Sequence, residues 1–310
     1  MEWNLRILGA NSAIPAHGRY PSSQILHLGD TRIMIDCGEG ALLQLLRYGE
    51  SLLKIDWVCI SHLHGDHVFG LPAVLTTSNL LGRQHPLRII GPRSIQAMIE
   101  GFLSHTGSEL QYTLEFVELD LRQKEWILEG KYFRMAAFPL EHKVPTYGFL
   151  FEEKAFPRRL NVAMLERYGV PPEDRSAIAM GADWTDPSGQ RIAHEVFVRW
   201  DWTPRSYAYC SDTRYFPQLA EWIKGVQWLY HEATFLREKQ EEAYQRMHST
   251  AADAARVARQ ACVGKLLLGH FSSRYRDLSP FLEEARAIFP QSYLAQEGEV
   301  YRITSHPVPC

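Results

Sequence analysis

Apolar residues along this chain occur mostly in short runs, separated by polar segments that contain glycine or proline. Such runs are typical of buried strands, whereas apolar residues three or four positions apart are typical of helices that pack on a sheet. The runs predict strands over residues 5–9, 24–28, 32–35, 56–60, 87–90, 114–119, 132–138, 206–210, 226–230, 265–269 and 299–303. Helices are predicted over residues 41–48, from 68 onward, over 95–103, from about 250 to 261 and over 280–288. This alternation indicates an α/β fold.

Residues 152–205 interrupt the alternation. They contain five prolines, and helical periodicity is clear only around residues 161–168. Eight Lys or Arg residues are balanced by nine Asp or Glu residues, so the segment is not a basic tract. Trp184, Trp200 and Trp202 could stack on nucleic-acid bases, although aromatic residues in a small insertion more often form its core. We interpret residues 152–205 as an arm inserted into a single domain that spans residues 1–310.

Composition and net charge exclude few classes of protein. The chain is 45% hydrophobic and 22% charged, which is ordinary for a globular protein. With 33 Lys and Arg against 36 Asp and Glu, the net charge is −3, so any basic surface for nucleic acid must be local. Three of the five cysteines (Cys37, Cys59 and Cys210) lie in apolar runs and predict buried free thiols in a reducing compartment. The amino terminus does not resemble a signal peptide, and no apolar run is long enough to cross a membrane, so we expect a cytoplasmic protein.

Four potential metal ligands follow the predicted strand 56–60 in the pattern H-x-H-x-D-H, namely His62, His64, Asp66 and His67. The carboxyl end of a strand is where open α/β sheets place their sites. Imidazole nitrogens and carboxylate oxygens suit Zn²⁺, and Mn²⁺ or Fe would also fit. One tetrahedral ion cannot easily use all four groups from so tight a loop. We therefore expect two ions, with His62 and His64 facing one and Asp66 and His67 facing the other, while a solvated polar loop is the alternative.

This motif resembles the signature of the metallo-β-lactamase superfamily. The resemblance implies an αββα sandwich and a metallohydrolase, but no particular substrate, because one fold can host many activities. Asp36 ends a predicted strand before the Cys37–Gly40 turn and could cap the next helix. In the superfamily the matching aspartate supports the metal loop, so we expect Asp36 to hold the loop and not the metal.

Three further residues at predicted strand ends complete the candidate ligand set. They are His142, Asp212 and His270. Each would be weak evidence alone, since a lone histidine after a strand is usually structural or exposed. Together they predict two Zn²⁺ ions bridged by Asp212. The predicted ligands of one ion are His62, His64 and His142, and those of the other are Asp66, His67 and His270.

His248 indicates which kind of reaction the site could catalyse. It precedes a predicted helix whose start, Thr250 to Asp253, has a capping-box sequence. Free N–H groups at such a helix start would favour a phosphate, and a histidine there could protonate a leaving oxygen. Glu232, if it lies near, would orient the imidazole and raise its pKa. We therefore expect His248 and Glu232 to be catalytic.

The segments His231-Glu232-Ala233-Thr234 and His248-Ser249-Thr250 resemble the paired motifs of the ribonuclease Z family, the tRNA 3′-processing endonucleases. Pro15, Gly70-Leu71-Pro72 and the run from His270 to Tyr275 are similar to that family too, so the resemblance covers nearly the whole chain. It implies a homodimer that cuts precursor tRNA after the discriminator nucleotide and leaves a 3′-hydroxyl. It also implies that Asp66 is both a metal ligand and the catalytic acceptor of a proton from the attacking water.

The inserted arm departs from that family. The family's arm, which grips the tRNA elbow, usually carries a Gly-Pro motif soon after a Gly-Ile/Val-Pro-Pro segment, but here Gly169-Val170-Pro171-Pro172 is followed by Glu173-Asp174-Arg175. Two alternatives therefore stay open. One is a metal-dependent phosphodiesterase that acts on small or cyclic nucleotides with the same metals and His248. The other is a catalytically silent RNA-binding protein that keeps the fold.

Overall fold

Two seven-stranded β-sheets organise the computed structural model, which describes residues 2–130, 132–154, 159–199 and 204–304. The strands are β1 (Trp3–Gly9), β2 (Ser23–Leu28), β3 (Thr31–Cys37), β4 (Trp57–Cys59), β5 (Leu87–Pro92), β6 (Leu114–Leu119), β7 (Glu125–Glu129), β8 (Phe133–Leu140), β9 (Thr146–Glu153), β10 (Trp184–Thr185), β11 (Arg191–Ile192), β12 (Ser206–Cys210), β13 (Trp228–Glu232), β14 (Lys265–Gly269), β15 (Ser292–Leu294) and β16 (Val300–Ile303). The α-helices are α1 (Ala41–Arg47), α2 (Gly65–Val68), α3 (Leu71–Leu80), α4 (Ile95–Thr106), α5 (Val162–Arg167), α6 (Pro172–Ala179), α7 (Gln218–Trp222), α8 (Gln240–Arg246), α9 (Ala251–Gln260) and α10 (Ser279–Arg286).

Both sheets are antiparallel in one half and parallel in the other. The first has the order β16-β1-β2-β3-β4-β5-β6, and β3 to β6 run parallel. The second has the order β15-β14-β13-β12-β9-β8-β7, and β12 to β15 run parallel. Parallel neighbours need a crossover connection, and helices supply it on both sheets. Because parallel strands end at the same edge, the loops after β3 and β4 can meet those after β12 and β14.

The strands bury side chains on both faces. In β3, Ile33 and Ile35 belong to an apolar cluster that also contains residues of the second sheet, whereas Met34 packs with Leu45 of α1 and Leu75 of α3. Alternate side chains of a strand point to opposite faces, so the first sheet has the second sheet on one face and helices on the other. Helices α9 and α10 pack with residues of the second sheet. The layers are therefore helix, sheet, sheet and helix, which confirms the predicted αββα sandwich.

The insertion has a small core of its own. The residues of this core are Leu165, Val170, Ile178, Trp184, Ile192 and Phe197. Trp184 is thus a core residue, while Trp200 and Trp202 lie outside the described residues. The two ends of the insertion pair with each other, because Leu160 forms an antiparallel bridge with Val198.

Some predictions of local structure were wrong. The helix predicted from residue 68 begins at Leu71 as α3, and Val68 instead ends the short helix α2. A Cβ at Gly70 would lie 2.2 Å from the Gly38 carbonyl oxygen, so the chain passes too closely there for any other residue. The sequence did not predict β7, β9, β10, β11, β15 or helices α6 to α8. Helix α8 is one example. Of its seven residues only Ala243 is buried, so its sequence has no apolar stripe that would predict a helix.

The cysteine prediction is confirmed for three residues. Cys37, Cys59 and Cys210 are free and buried, and Cys310 lies outside the described residues. Burial raises the pKa of each of the three thiols, which makes them poor nucleophiles. In the described part of the chain, no helix is both long and apolar enough to cross a membrane.

Candidate metal centre

The candidate ligands lie at one edge of the sandwich and come from both sheets. After β4, His62 and His64 lie in a loop and Asp66 and His67 lie in α2, while the second sheet contributes His142 after β8, Asp212 after β12 and His270 after β14. Their side chains form two groups in which the nitrogen and oxygen atoms lie within 4.8 Å of one another. One group contains His62, His64, His142 and Asp212, and the other contains Asp66, His67 and His270. The structure thus brings together the side chains that the sequence predicts to share an ion.

Asp36 holds the loop in place. Its Oδ1 accepts a hydrogen bond from the Ser61 backbone N–H at 2.7 Å, and its Oδ2 accepts from the Ser61 hydroxyl at 2.8 Å. The same Oδ2 accepts from His67 Nδ1 at 2.7 Å and from the Tyr209 hydroxyl at 2.6 Å. Asp36 has a left-handed backbone with φ of 54°, as has His270 with φ of 59°, and such backbone strain clusters at functional sites. The contacts made by Asp36 are those expected of a residue that supports the metal loop.

The first group is compact. His62 Nε2 lies 3.0 Å from His64 Nδ1 and 3.5 Å from Asp212 Oδ2, and His142 Nε2 lies 3.8 Å from the same oxygen. Two ligands that are each 2.0–2.1 Å from a tetrahedral ion are about 3.3–3.4 Å apart. The observed separations are close to that spacing.

The second group has the same spacing. His67 Nε2 lies 3.2 Å from His270 Nε2, and Asp66 Oδ2 lies 3.6 Å from the first nitrogen and 3.4 Å from the second. Asp212 Oδ1 is 3.1 Å from His270 Nε2 and 3.5 Å from His67 Nε2. Asp212 therefore presents one carboxylate oxygen to each group, as a bridging ligand would.

Four imidazoles are anchored through the ring nitrogen that points away from the site. His62 Nδ1 contacts the Ser61 hydroxyl at 3.0 Å, and His67 Nδ1 contacts Asp36. His142 Nδ1 lies 3.0 Å from the Met247 carbonyl oxygen, and His270 Nδ1 lies 2.9 Å from the Thr234 hydroxyl. Such bonds fix the tautomer and direct Nε2 toward the site. His142 Nε2 and Asp212 Oδ1 are buried and make no hydrogen bond within the described chain, so they are suited to a cation.

The charges in the site favour a cation as well. Burial lowers the pKa of His62 to about 4, helped by the nearby charge of His67, so His62 is neutral as a ligand must be. For His67, burial is outweighed by the carboxylates of Asp66, Asp212 and Asp36, which raise its pKa to about 10. A proton on His67 Nε2 and a metal ion would therefore compete for the same nitrogen.

His248 and Glu232 form a hydrogen-bonded pair beside both groups. His248 Nδ1 lies 2.8 Å from Glu232 Oε1, and the His248 ring centroid is 5.1 Å from that of His142 and 5.7 Å from that of His270. Glu232 is fully buried and also accepts hydrogen bonds from the Thr213 and Thr234 backbone N–H groups. Burial lowers the pKa of His248, but Glu232 and Asp212 outweigh it and raise that pKa to about 9. The imidazole is thus held as a proton donor with Nδ1 committed to Glu232.

The expected phosphate site at the start of α9 is absent from the described structure. The predicted capping box of Thr250 and Asp253 does form, so the Asp253 N–H is bonded to the Thr250 hydroxyl. The Ala251 N–H donates to the Phe235 carbonyl, and the Ala252 N–H donates to Glu284 at 2.8 Å. All three donors of the first turn already have protein acceptors, so this part of the prediction was wrong.

An open cleft of about 530 Å³ exposes the two groups and His248 to solvent. We call it the metal cleft. Besides the candidate ligands, its lining includes the basic residues Lys143, Arg246 and Arg274, which sequence reasoning did not single out. Thr234 was not predicted as a site residue either, although its hydroxyl contacts Glu232, His248 and His270. Thr234 lies in the motif that carried the resemblance, so that motif was the available signal.

Several known proteins are similar to this chain in sequence or in fold. A family model described as Anti-Pycsar protein Apyc1 matches residues 3–157. Ribonuclease Z of Bacteroides fragilis (strain YCH46) is 41% identical over 297 residues, which cover 96% of this chain and 98% of the relative. The human tRNase Z short form superimposes with a TM-score of 0.71 at 23% identity, covering 97% of this chain and 99% of that one. The metallo-β-lactamase fold protein YhfI from Bacillus subtilis gives 0.69 at 20% identity, with 97% and 100% covered.

Proposed function

The chain belongs to the ribonuclease Z family, and from that premise we propose that it is a metal-dependent endoribonuclease that removes the 3′ trailer from precursor tRNA. The observation that carries the proposal is the arrangement around Asp212, where two groups of ligands share one carboxylate and the His248–Glu232 pair faces both. Two cations and a proton donor together can catalyse hydrolysis of a phosphodiester.

The donor set fits two Zn²⁺ ions, and Mn²⁺ or Fe would use the same ligands. His62, His64 and His142 would hold one ion, Asp66, His67 and His270 would hold the other, and Asp212 would bridge them. When bound, such ions lower the pKa of a shared water and offset the negative charge on the phosphoryl oxygens. The buried atoms His142 Nε2 and Asp212 Oδ1, which lack hydrogen bonds, support this assignment.

The protein's own groups handle the protons. Asp66 lines the metal cleft, and its Oδ2 accepts a hydrogen bond from the Ala13 N–H at 2.7 Å. We assign it as the acceptor of the proton from the attacking water. His248 is the donor to the departing oxygen, because Glu232 holds its Nδ1 and leaves Nε2 available. The leaving group is the ribose 3′-oxygen of the discriminator nucleotide, so the tRNA product ends in a 3′-hydroxyl.

The extent of the similarity favours tRNA over a small or cyclic nucleotide. The match to the Bacteroides fragilis protein covers 96% of the chain and therefore includes most of residues 152–205. We propose that this arm is an exosite for tRNA. Its compact core and paired ends support a separate surface on the domain, which a mononucleotide would not need. The Apyc1 model covers residues 3–157 and so does not reach Asp212, Glu232 or His248.

Cleavage of one precursor tRNA tests the function. The full-length protein should cut an end-labelled precursor once, after the discriminator nucleotide, and the mapped product should carry a 3′-hydroxyl. Asp212→Ala should abolish the cut, and chelation should abolish it reversibly. Hydrolysis of cyclic nucleotides with an intact precursor would establish the alternative phosphodiesterase instead. If metal-loaded protein binds the precursor but cuts neither substrate, the result supports the silent RNA-binding alternative.

We also propose that the chain acts as a homodimer. Leu43 and Leu46 of α1 and Phe69 next to α3 are 60%, 56% and 70% exposed, and α1 and α3 pack against each other. Apolar side chains exposed together are typical of an interface. Leu46→Glu should convert the dimer to a monomer in sedimentation experiments, whereas Val162→Glu, at an exposed position of the insertion, should not. A monomeric wild type would contradict this proposal.

The buried free thiols support the cytoplasm as the site of action. Cys37, Cys59 and Cys210 are unpaired in the described structure, and thiols persist in a reducing compartment.

A further inference from the structure

A second cleft opens on the other side of His248. It has a volume of about 640 Å³, and His248 is the one lining residue that it shares with the metal cleft. Tyr215 precedes α7, Tyr244 lies on α8, and Arg256 lies on α9, so three segments of the second half of the chain form its walls. We call it the aromatic cleft. Its volume is in the range that holds a single small organic ligand.

Two arginine–tyrosine pairs line the aromatic cleft. The Arg214 guanidinium carbon lies 5.2 Å from the centroid of the Tyr244 ring, and that of Arg256 lies 5.3 Å from the Tyr215 ring. Tyr244 is 62% exposed, so most of its ring is free for a further stacking partner. A nucleic-acid base stacks on such rings irrespective of its sequence.

The charges of the aromatic cleft are balanced. Arg214 is paired with Glu141 at 2.6 Å, and Arg256 is paired with Asp253 at 3.0 Å. Of the basic residues that line the metal cleft, Arg246 and Arg274 share the single carboxylate of Glu242, and Lys143 has no ion pair with the described residues. A phosphate therefore belongs in the metal cleft, and a neutral planar group belongs in the aromatic cleft.

The position of His248 decides which part of the substrate lies there. In an in-line displacement the departing oxygen lies opposite the attacking water. Water attacks from the side of the two ligand groups, so the departing oxygen faces His248, and the nucleoside attached to that oxygen continues beyond it. The aromatic cleft begins at this point.

We propose that the aromatic cleft is a nucleoside subsite for the nucleotide that carries the departing oxygen, with its base stacked on Tyr244. The proposal rests on the proposed function, because it presumes a nucleic-acid substrate cut at His248. In a precursor tRNA this nucleotide is the one on the 5′ side of the cut.

Base removal from the substrate, combined with mutation, tests the proposal. The metal-loaded full-length protein would be given three precursor tRNAs under single-turnover conditions: intact, abasic on the 5′ side of the cut, and abasic on the 3′ side. Tyr244→Ala should slow the intact precursor on the order of 10- to 100-fold, the range expected for loss of one base stack. Tyr244→Phe should restore the rate because it keeps the ring. Tyr132→Ala, at the opposite end of β8 from His142, is the control and should be as fast as wild type.

The abasic substrates identify the partner of the ring. The precursor that is abasic on the 5′ side should be slow with wild type and equally slow with Tyr244→Ala, since the lost stack cannot be lost twice. The precursor that is abasic on the 3′ side should keep its sensitivity to Tyr244→Ala. The subsite would be overturned if Tyr244→Ala slowed all three substrates by the same factor. It would also be overturned if only the precursor that is abasic on the 3′ side became insensitive to Tyr244→Ala. If wild type hydrolyses bis(p-nitrophenyl) phosphate but cuts no precursor, the proposed function itself fails, and the subsite fails with it.

Discussion

His248→Ala should remove the proton donor and leave the metal centre and the fold intact. The imidazole is not in the predicted ligand set, and its Nδ1 contacts Glu232, which has other partners. After truncation the carboxylate still accepts hydrogen bonds from the Thr213 N–H, the Thr234 N–H and the Thr234 hydroxyl. The cost to the free energy of unfolding should therefore be limited to about 1.5–3 kcal/mol, the value of one charged hydrogen bond.

The loss in rate should be larger and should depend on the leaving group. A single general acid contributes on the order of 10²–10⁴ in rate, which corresponds to about 3–5 kcal/mol of transition-state stabilisation. A ribose 3′-oxygen is a poor leaving group and needs the proton, whereas p-nitrophenolate departs almost without it. We therefore expect kcat to fall by that factor on precursor tRNA and by less than about tenfold on bis(p-nitrophenyl) phosphate.

Parallel kinetics on the two substrates measure this difference. Glu232→Ala should act in the same direction, and the double variant should lose little more than either single variant, because the pair works as a unit. His105→Ala, on the exposed surface of α4, is the matched control and should be unaffected. Equal losses on both substrates would exclude proton donation and leave only phosphate binding. Full activity of His248→Ala would refute the assignment of His248 altogether.

Three further predictions follow from the same geometry. Elemental analysis should find about two Zn²⁺ per chain, and Asp212→Ala should lose both ions, whereas loss of one alone would contradict a bridging role. On precursor tRNA, kcat should fall at alkaline pH as His248 loses its proton, and His248→Ala should lack this fall. The pKa of His248 is raised to about 9 without cations, and bound cations should lower it because they offset the charge of Asp212. Replacing residues 160–198 by a short linker should leave hydrolysis of bis(p-nitrophenyl) phosphate intact and raise KM for precursor tRNA, since Arg159 and Arg199 are already joined by a 2.8 Å hydrogen bond. Equal loss of both activities would show that the insertion supports the domain and is not an exosite.

The edge of its sheet at which each of these ligands lies could be predicted, because that edge depends on the direction of the strand. His62 follows a buried strand, as do Asp212 and His270, and the carboxyl ends of parallel strands meet at one edge of a sheet. No detail of side-chain packing is needed for that step. The αββα sandwich follows from the same alternation of strands and helices.

Features that depend on distant partners could not be predicted. The capping box of α9 was legible because its two residues are neighbours in sequence, but the acceptors of the Ala251 and Ala252 N–H groups, the Phe235 carbonyl and Glu284, are not. The expectation of a phosphate there failed for this reason. The aromatic cleft is similar, because Tyr215, Tyr244 and Arg256 meet only after three separate segments have packed.

Each group of ligands takes residues from both sheets. His62 and His64 follow a strand of the first sheet and meet His142 of the second, while Asp66 and His67 meet His270 in the same way. The site therefore exists only when the sheets are packed, and any cation that binds it must stabilise that packing by the same free energy. Beyond the ligands, the segment after β4 supplies Asp66, the proposed proton acceptor, whereas the second half of the chain supplies the His248–Glu232 pair. The choice of a phosphodiester, and of the nucleoside that leaves, thus lies in the second half of the chain.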